Sequence, residues 1–304
     1  AANWATFTKT DASFHPMAIQ DLTLFIGDGN QVASVDNSGT FTANRLDINE
    51  PHRIKSMIAF EFDILLGTFI RASVNKASVY RWDTISPSWT TVDDVNEVGV
   101  NAFIRDDNYV YAQCGLAGNI YFYNGEQLVP FKRIPGTWSA SAYGEVYPGS
   151  VANFKGVPIF GFSNGSGNPA EQGVYSFGSY SKDYPKVLDL SWVNSQDKTS
   201  SQEIGAVAVE GFNLMVAWKD GTSYGVDAID TSNKYASARI DTMMLFQEQR
   251  DILKIIEGVQ AYYETLPAST GITFSYKVNH DSFVGMTSVT DVLVNKVFAD
   301  LSVE

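Results

Sequence analysis

Five acidic residues have the side-chain chemistry for acid–base catalysis: Glu61, Asp63, Asp106, Asp107 and Glu210. Glycoside hydrolases place two carboxyl groups beside the scissile bond, one as a general acid and the other as a base or nucleophile. Most of the five lie at strand ends beside turns, where acidic residues commonly cap the backbone and face water. The pattern predicts that the chain is not an enzyme, with a glycoside hydrolase as the less favoured alternative.

The cysteine and the histidines do not form a metal or nucleophile motif. Cys114 is the only cysteine, and it lies in an apolar run at 109–115 without a neighbouring histidine, so we expect a buried structural thiol. His15, His52 and His280 are far apart and each is next to turn residues, unlike the clustered ligands of zinc sites. We therefore predict no cofactor.

Two acidic turns and one long loop are candidates for binding. Residues 36–39 and 106–108 carry oxygen atoms that suit calcium, although neither completes an EF-hand pattern, so calcium remains an open alternative. The segment 163–173 is rich in glycine and lacks the lysine of a phosphate-binding loop, and tyrosines able to stack on sugars follow it. We predict a partner or glycan contact loop that contains Asn164, Ser166, Asn168, Glu171, Tyr180 and Tyr184.

The composition excludes some classes of partner. Among the 304 residues 18% are charged, and the formal net charge is −13. No three basic residues follow one another, so binding of nucleic acid through a basic face is not expected. The apolar runs are too short to span a bilayer, so we predict no membrane insertion. Because the chain begins with Ala1, we expect a processed piece of a longer product.

An internal repeat is the main signal in the sequence. An apolar strand, a tight turn and a second strand centred on Val35, Tyr80, Tyr121, Tyr175 or Tyr224 recur at steps of about 41 to 54 residues. This spacing is typical of four-stranded propeller blades. The hairpins are predicted at 22–36, 63–83, 109–125, 157–178 and 214–227. Dipeptides suited to turns with positive φ support them, such as Asp28-Gly29, Asn124-Gly125, Asn164-Gly165, Lys155-Gly156 and Asp220-Gly221.

Apolar or alternating strands precede four of the hairpins, at 54–60, 100–104, 150–154 and 204–209. In a propeller these are the innermost strands of their blades, and the segment 4–8 could add a strand that closes the ring. The sequence therefore predicts an all-β chain with less than about 10% helix. Its expected architecture is a β-propeller of about five blades.

The C-terminal segment departs from the repeat. We predict a propeller over residues 1–248 and a separate β module over 249–304. In this module two strands flank Leu266-Pro267, and Ile272, Phe274, Tyr276 and Val278 alternate onto one face. Both a small β-sandwich and a sixth blade fit this pattern, and the sandwich is favoured.

Several phrases resemble the β-propeller region of structural proteins in tailed-bacteriophage virions. They are LFIGDGNQVASVD, GNIYFYNG, KRIPGTWS, GVYSFG and VAWKDGTSYGVD, and VQAYYETLPASTGITFSYKVN resembles the segment that follows the propeller there. The resemblance covers about residues 20–280 and carries over no catalytic set.

The resemblance implies a non-enzymatic tail component of tip, hub or nozzle type, located in the virion as an extracellular particle. Its implied partners are copies of itself in a homo-oligomer and other virion proteins, with a possible host-attachment role through surface glycans. A secreted or virion glycan-binding propeller remains the alternative, and a five-bladed glycoside hydrolase is less favoured.

Overall fold

The computed structural model describes residues 14–70, 74–107, 109–134, 144–164, 172–179, 186–192 and 202–229, and the short stretches 258–262, 270–276, 284–289 and 296–300. The regular secondary structure in these ranges consists of β-strands, and none of them contains a helix. Within them, accordingly, there is no helix of the length and apolarity needed to cross a membrane. The predicted segments 4–8 and 245–257 lie outside the described residues.

Three four-stranded antiparallel meanders come first along the chain. The first consists of β1 (Met17–Gln20), β2 (Thr23–Asp28), β3 (Gln31–Val35) and β4 (Phe41–Asp47). The second consists of β5 (Arg53–Phe60), β6 (Asp63–Phe69), β7 (Ala77–Trp82) and β8 (Thr91–Val95). The third consists of β9 (Val100–Asp106), β10 (Tyr109–Cys114), β11 (Asn119–Tyr123) and β12 (Leu128–Arg133).

Two further meanders share one seven-stranded sheet. The fourth consists of β13 (Gly144–Phe154), β14 (Val157–Asn164), β15 (Gly173–Gly178) and β16 (Val187–Trp192). The fifth consists of β17 (Gln202–Glu210), β18 (Asn213–Asp220) and β19 (Ser223–Ala228). A single backbone pair, Asn164 with Gln202, joins β14 to β17. Because the two meanders are joined, the number of blades stays a prediction.

The predicted hairpins and inner strands are confirmed. The five hairpins are β2–β3, β6–β7, β10–β11, β14–β15 and β18–β19, and the four predicted inner strands are β5, β9, β13 and β17. The first strands contact one another in chain order, β1 with β5, β5 with β9, β9 with β13 and β13 with β17. Successive meanders whose first strands adjoin form a β-propeller, so these five meanders form a propeller and the described part of the chain is all-β.

Four apolar clusters hold the meanders together, one between each consecutive pair. In β6, Ile64 and Leu66 belong to the cluster shared with the first meander, whereas Leu65 belongs to the cluster shared with the third. Successive side chains of a strand point to opposite faces, so a sheet covered on both faces needs a continuous apolar run. This explains why the second strands read TLFIG and DILLG instead of alternating with polar residues.

Glycine sets the close approach of two meanders to their neighbours. A Cβ atom placed on Gly67 of β6 would lie 2.6 Å from Val100 Cγ1, and one on Gly161 of β14 would lie 2.8 Å from Ile204 Cβ. Both contacts are with the first strand of the following meander. These glycines occupy the fifth position of their strands, where only the absence of a side chain leaves room for the next sheet.

The C-terminal unit has a different strand order. The chain divides into two compact units, residues 1–234 and 235–304, and the second contains β20 (Gly258–Tyr262), β21 (Ile272–Tyr276), β22 (Val284–Val289) and β23 (Lys296–Asp300). Here β20 pairs with β23 and β21 with β22, which is a nested order and not a sequential meander. The predicted boundary at 248 and 249 lies outside the described residues, and it stays a prediction.

The alternation predicted for β21 is confirmed. Ile272, Phe274 and Tyr276 are half-buried, whereas Thr273 and Ser275 between them are exposed. Val278, the fourth residue of the predicted face, lies outside the described residues.

Candidate functional site

Two of the predicted acidic residues, Glu61 and Asp63, bind the same arginine at the start of β6. Asp63 accepts a short hydrogen bond from Arg81 Nε, and Glu61 Oε2 lies 3.3 Å from Arg81 Nη2. Arg81 also donates to the carbonyl oxygen of Gly125 in the third meander, at 3.0 Å. The guanidinium group therefore ties the second meander to the third, and the two carboxylates neutralise it.

The other predicted acidic residues lie at two further turns. Asp106 is buried and forms an ion pair with Lys186, just before β16. Asp107 lies in the turn between β9 and β10, Glu210 lies just before the turn between β17 and β18, and both are exposed. In the ranges that the structure describes, no three His, Cys, Asp or Glu side chains gather as metal ligands would.

The first of the two calcium candidates is a closed polar turn. The Asp36 carboxylate accepts hydrogen bonds from Ser38 N at 2.9 Å, Ser38 Oγ at 2.6 Å and Thr40 N at 2.8 Å. These hydrogen bonds favour the charged form and lower the pKa of Asp36. The second candidate includes Asp106, which is paired with Lys186. Calcium binding stays a prediction at both turns.

Cys114 is a buried structural thiol, as predicted. It is fully buried in the cluster between the second and third meanders. Burial raises the pKa of this thiol well above its usual range, and the nearby Glu97 adds to the effect. A neutral thiol in this position packs as a small apolar side chain.

His52 lies in a buried polar network at the end of the second meander. Its Nδ1 is 3.1 Å from Thr68 Oγ1, and the Thr68 hydroxyl donates to the carbonyl oxygen of Ser78 at 2.9 Å. Because that hydroxyl has only one proton to donate, Nδ1 of neutral His52 is the donor to Thr68. The imidazole also meets the Tyr80 ring edge-on, with 5.9 Å between the ring centres.

This burial predicts a loss of stability in mild acid. Burial lowers the pKa of His52 from its ordinary value of 6.5, and Lys76 acts in the same direction while Asp94 opposes it. The unfolded chain therefore binds a proton at a higher pH than the folded chain does. Stability should fall as the pH drops below 6.5 and level off below the folded-state pKa. Urea unfolding between pH 8 and pH 5 should show that His52→Gln removes this part of the pH dependence. An unchanged pH profile in the variant would contradict the assignment.

A second polar network joins three inner strands. Lys55 Nζ of β5 donates to Asn101 Oδ1 of β9 at 2.7 Å and to Glu145 Oε2 of β13 at 2.8 Å. The Asn101 Nδ2 group donates to Gln113 Oε1 at 2.8 Å, and Gln113 Oε1 also accepts from the backbone N–H of Val146 at 3.0 Å. These five residues form the inner polar network, and they tie the second, third and fourth meanders together.

Removing the central cation of this network should destabilise the fold. Lys55→Met keeps the apolar stem but leaves the Glu145 carboxylate without its ammonium, and we expect a loss of about 2 kcal/mol in urea unfolding. Lys219→Met is the matched control, because Lys219 lies 3.6 Å from Glu203 in an exposed pair. We expect the control to change stability by less than about 0.5 kcal/mol. Equal losses in the two variants would rule out a stabilising role for the inner cation.

The turns between the first and second strands of the five meanders form a face of their own, here called the turn face. Gln20 Nε2 donates to Glu61 O at 3.0 Å, which joins the first turn to the second. Arg105 Nη1 donates to Ala59 O at 3.3 Å, which joins the third to the second. Lys155 Nζ of the fourth turn lies 5.9 Å from the centre of the Phe212 ring in the fifth. Leu22, Phe62 and Phe212 are exposed at its turn tips.

The predicted contact loop is only partly described. Asn164 is fully buried at the end of β14, in the backbone pair with Gln202, so its side chain is not at the surface. The other five predicted residues, Ser166, Asn168, Glu171, Tyr180 and Tyr184, lie outside the described residues, and for them the contact loop stays a prediction.

Sequence reasoning missed both the inner polar network and the turn face. Lys55 and Glu145 are 90 residues apart, and the sequences of their strands contain no motif that predicts this contact. The turn face did leave a signal, because a large apolar residue occupies a two-residue turn at Leu22, Phe62 and Phe212. Asn, Asp and Gly are the residues that such turns favour.

No model of a known protein family matches the chain, and no curated protein matches it. Among solved structures, it is similar to the extracellular domain of a hybrid two component system from B. thetaiotaomicron, with 18% identity and a TM-score of 0.43. That match covers 73% of this chain and 27% of the other.

Two further similar structures are 10% identical to the chain. The exo-β-1,3-galactanase from Phanerochaete chrysosporium has a TM-score of 0.40, with 89% of this chain and 73% of the other covered. The β-propeller domain of the Trilobed protease from Pyrococcus furiosus has a TM-score of 0.36, with 73% and 83% covered. At these identities the likeness concerns the fold alone, and the predicted phage-tail role stays a prediction.

Proposed function

We propose that this chain is a non-enzymatic structural β-propeller that acts by binding other proteins, as a tail component of a bacteriophage virion. The proposal that the chain is not an enzyme is supported by one observation: several of its carboxylates form ion pairs with basic side chains. Asp63 and Glu61 are held by Arg81, Asp106 by Lys186 and Glu145 by Lys55. These carboxylates are therefore engaged in ion pairs with basic side chains of the protein itself.

These ion pairs serve rigidity instead of turnover. The Arg81 and Lys55 groups each bridge neighbouring meanders, and four apolar clusters fill the spaces between them. A rigid propeller with short turns is suited to presenting fixed surfaces to its partners. The assignment to a virion is supported by the phrases at 24–36, 118–125, 173–178 and 216–227, which resemble propeller segments of tail proteins.

The virion assignment is tested on purified particles of a phage that encodes the chain. Mass spectrometry should detect it in a fixed ratio to the capsid protein after density-gradient purification. Its absence from particles that retain their tails would overturn the assignment. Host attachment is tested separately with antibodies against the chain. If the chain attaches the virion to its host, these antibodies should block adsorption of the phage to cells.

Glycan binding is the second candidate function, and one surface feature favours it. Tyr109 and Phe131 are exposed, and both rings lie against Phe122, with centre-to-centre distances of 5.8 and 6.5 Å. Exposed aromatic rings of this kind stack on the apolar faces of sugars. Binding on a glycan array that Tyr109→Ala removes would support this function, and an array without any bound glycan would exclude it at the concentrations used.

A further inference from the structure

The tips of the turn face carry side chains that the fold does not need there. Leu22 is 75% exposed, Phe62 is 81% exposed and Phe212 is 79% exposed. They occupy equivalent two-residue turns in the first, second and fifth meanders. Three large apolar side chains at equivalent positions differ from the scattered exposed residues that any soluble protein has.

Two of these turns have a backbone that disfavours the residues found in them. Leu22 has φ of 61° and Glu61, which precedes Phe62, has φ of 54°. A bulky residue in the left-handed region costs free energy that Asn or Gly would avoid. In the turn of the fifth meander, Gly211 has φ of 60° and precedes Phe212. At Leu22 the apolar tip therefore persists although the turn would form more readily with Asn or Gly.

The charges beside these tips indicate which partner fits. Asp21, Glu61, Asp107 and Glu210 are exposed at the turns of this face, and Glu61 also pairs with Arg81. Arg105 and Lys155 are the exposed basic residues at the described turns, so carboxylates are in excess. Two copies that met through this face would bring like charges together, which disfavours self-association. A complementary surface combines apolar side chains with lysine or arginine.

We propose that the turn face is a docking surface for a basic, apolar segment of another protein. This inference rests on the proposed function only in taking the chain to act by binding, and it does not depend on the virion. The apolar tips contact the apolar side chains of the segment, and the surrounding carboxylates attract its basic residues. In such an interface the apolar contacts supply most of the binding affinity, and the charged contacts around them make the affinity depend on salt concentration.

The test uses a synthetic peptide of alternating leucine and lysine blocks, labelled for fluorescence anisotropy. The wild-type chain should bind it, and the triple variant Leu22→Asn, Phe62→Asn, Phe212→Asn should bind at least tenfold more weakly. Tyr224→Asn is the matched control. Tyr224 is 81% exposed and pairs with Lys219 near the end of β18, whereas Phe212 precedes the start of β18, so the two side chains lie at opposite ends of this strand. Thermal unfolding should show that all the chains are folded, since Asn tolerates these turns.

A second variant tests the charges. Asp21→Asn with Asp107→Asn keeps residues that accept positive φ, and it should reduce both the affinity and its dependence on salt. Absence of peptide binding by the wild type, or equal binding by wild type and triple variant, would overturn the proposal.

Two other occupants of the face are tested in parallel. Sedimentation that shows the wild type to self-associate through these residues would replace the partner with a second copy. Binding to phosphatidylcholine vesicles in place of the peptide would replace it with a lipid surface, and either result would overturn the proposal. The presence of the chain in virions is measured separately, so the proposed function can stand while this inference fails.

Discussion

Gly161→Ala should lower the free energy of unfolding by about 3 kcal/mol. A methyl group at this position would lie 2.8 Å from Ile204 Cβ and closer still to its Cγ2, in the interface between the fourth and fifth meanders. Overpacking of this kind typically costs about 1–3 kcal/mol, because neighbouring side chains leave their preferred rotamers and the backbone shifts. Urea unfolding measured by tryptophan fluorescence gives the difference, with the slope against urea expected to stay unchanged.

Gly205→Ala is the matched control for this variant. Gly205 lies next to Ile204, and a Cβ atom placed on it would have no neighbour within 4 Å. Its φ is outside the left-handed region, so alanine should be neutral or stabilise the chain by up to about 0.5 kcal/mol through the unfolded state. If the two alanine variants were equally stable, the close packing of β14 on β17 would be refuted.

The second large effect is expected for Gln113→Ala. Gln113 is fully buried at the fifth position of β10, where β2, β6 and β14 have glycine. Its Oε1 accepts from Asn101 Nδ2 and from the N–H of Val146, and its Nε2 donates to the carbonyl oxygens of Cys114 and Gly115 at 3.1 Å. Alanine would leave these groups without partners, and we expect a loss of about 3 kcal/mol.

Gln20→Ala is the control for this variant, because Gln20 donates one exposed hydrogen bond to Glu61 O. Its loss should cost less than about 0.5 kcal/mol, since water replaces the partner. Amide hydrogen exchange adds a local measurement. The N–H of Val146 should exchange faster in Gln113→Ala and at the wild-type rate in Gln20→Ala, and protection of Val146 in both would contradict the assigned hydrogen bond.

The parts of the fold that the sequence predicted are those with strong local signals. The hairpins β10–β11 and β18–β19 combine an apolar strand, a glycine turn and an aromatic second strand within about 15 residues. The outer strands were harder to place. β4 and β8 are largely exposed and contain Asp, Asn and Thr, so the pairing with β3 and β7 defines them more than their own pattern does.

The candidate sites depend on contacts between residues far apart in the sequence, for which there is no local signal. The sequence places the acidic residues at strand ends beside turns, as the structure does, but the expectation that they face water is wrong for Asp63 and Asp106. Their partners Arg81 and Lys186 come from other parts of the chain and have no fixed spacing. The Asn164-Gly165 pair predicts a turn, whereas β14 extends through Asn164, which pairs with Gln202. Contacts over such distances depend on how the meanders stack, which a single sequence does not encode locally.

The arrangement of the four apolar clusters has a consequence for cooperativity. Each inner meander contributes to the cluster before it and to the one after it, as Ile64 and Leu65 do from adjacent positions. Stability in such an array is a sum of terms for each sheet and couplings between nearest neighbours. Among the described residues, a defect in the second, third or fourth meander weakens two of these couplings at once, whereas a defect in the first or fifth weakens one. The destabilising effect of a single substitution therefore reaches more of the neighbouring sheets from the second, third or fourth meander than from the first or fifth.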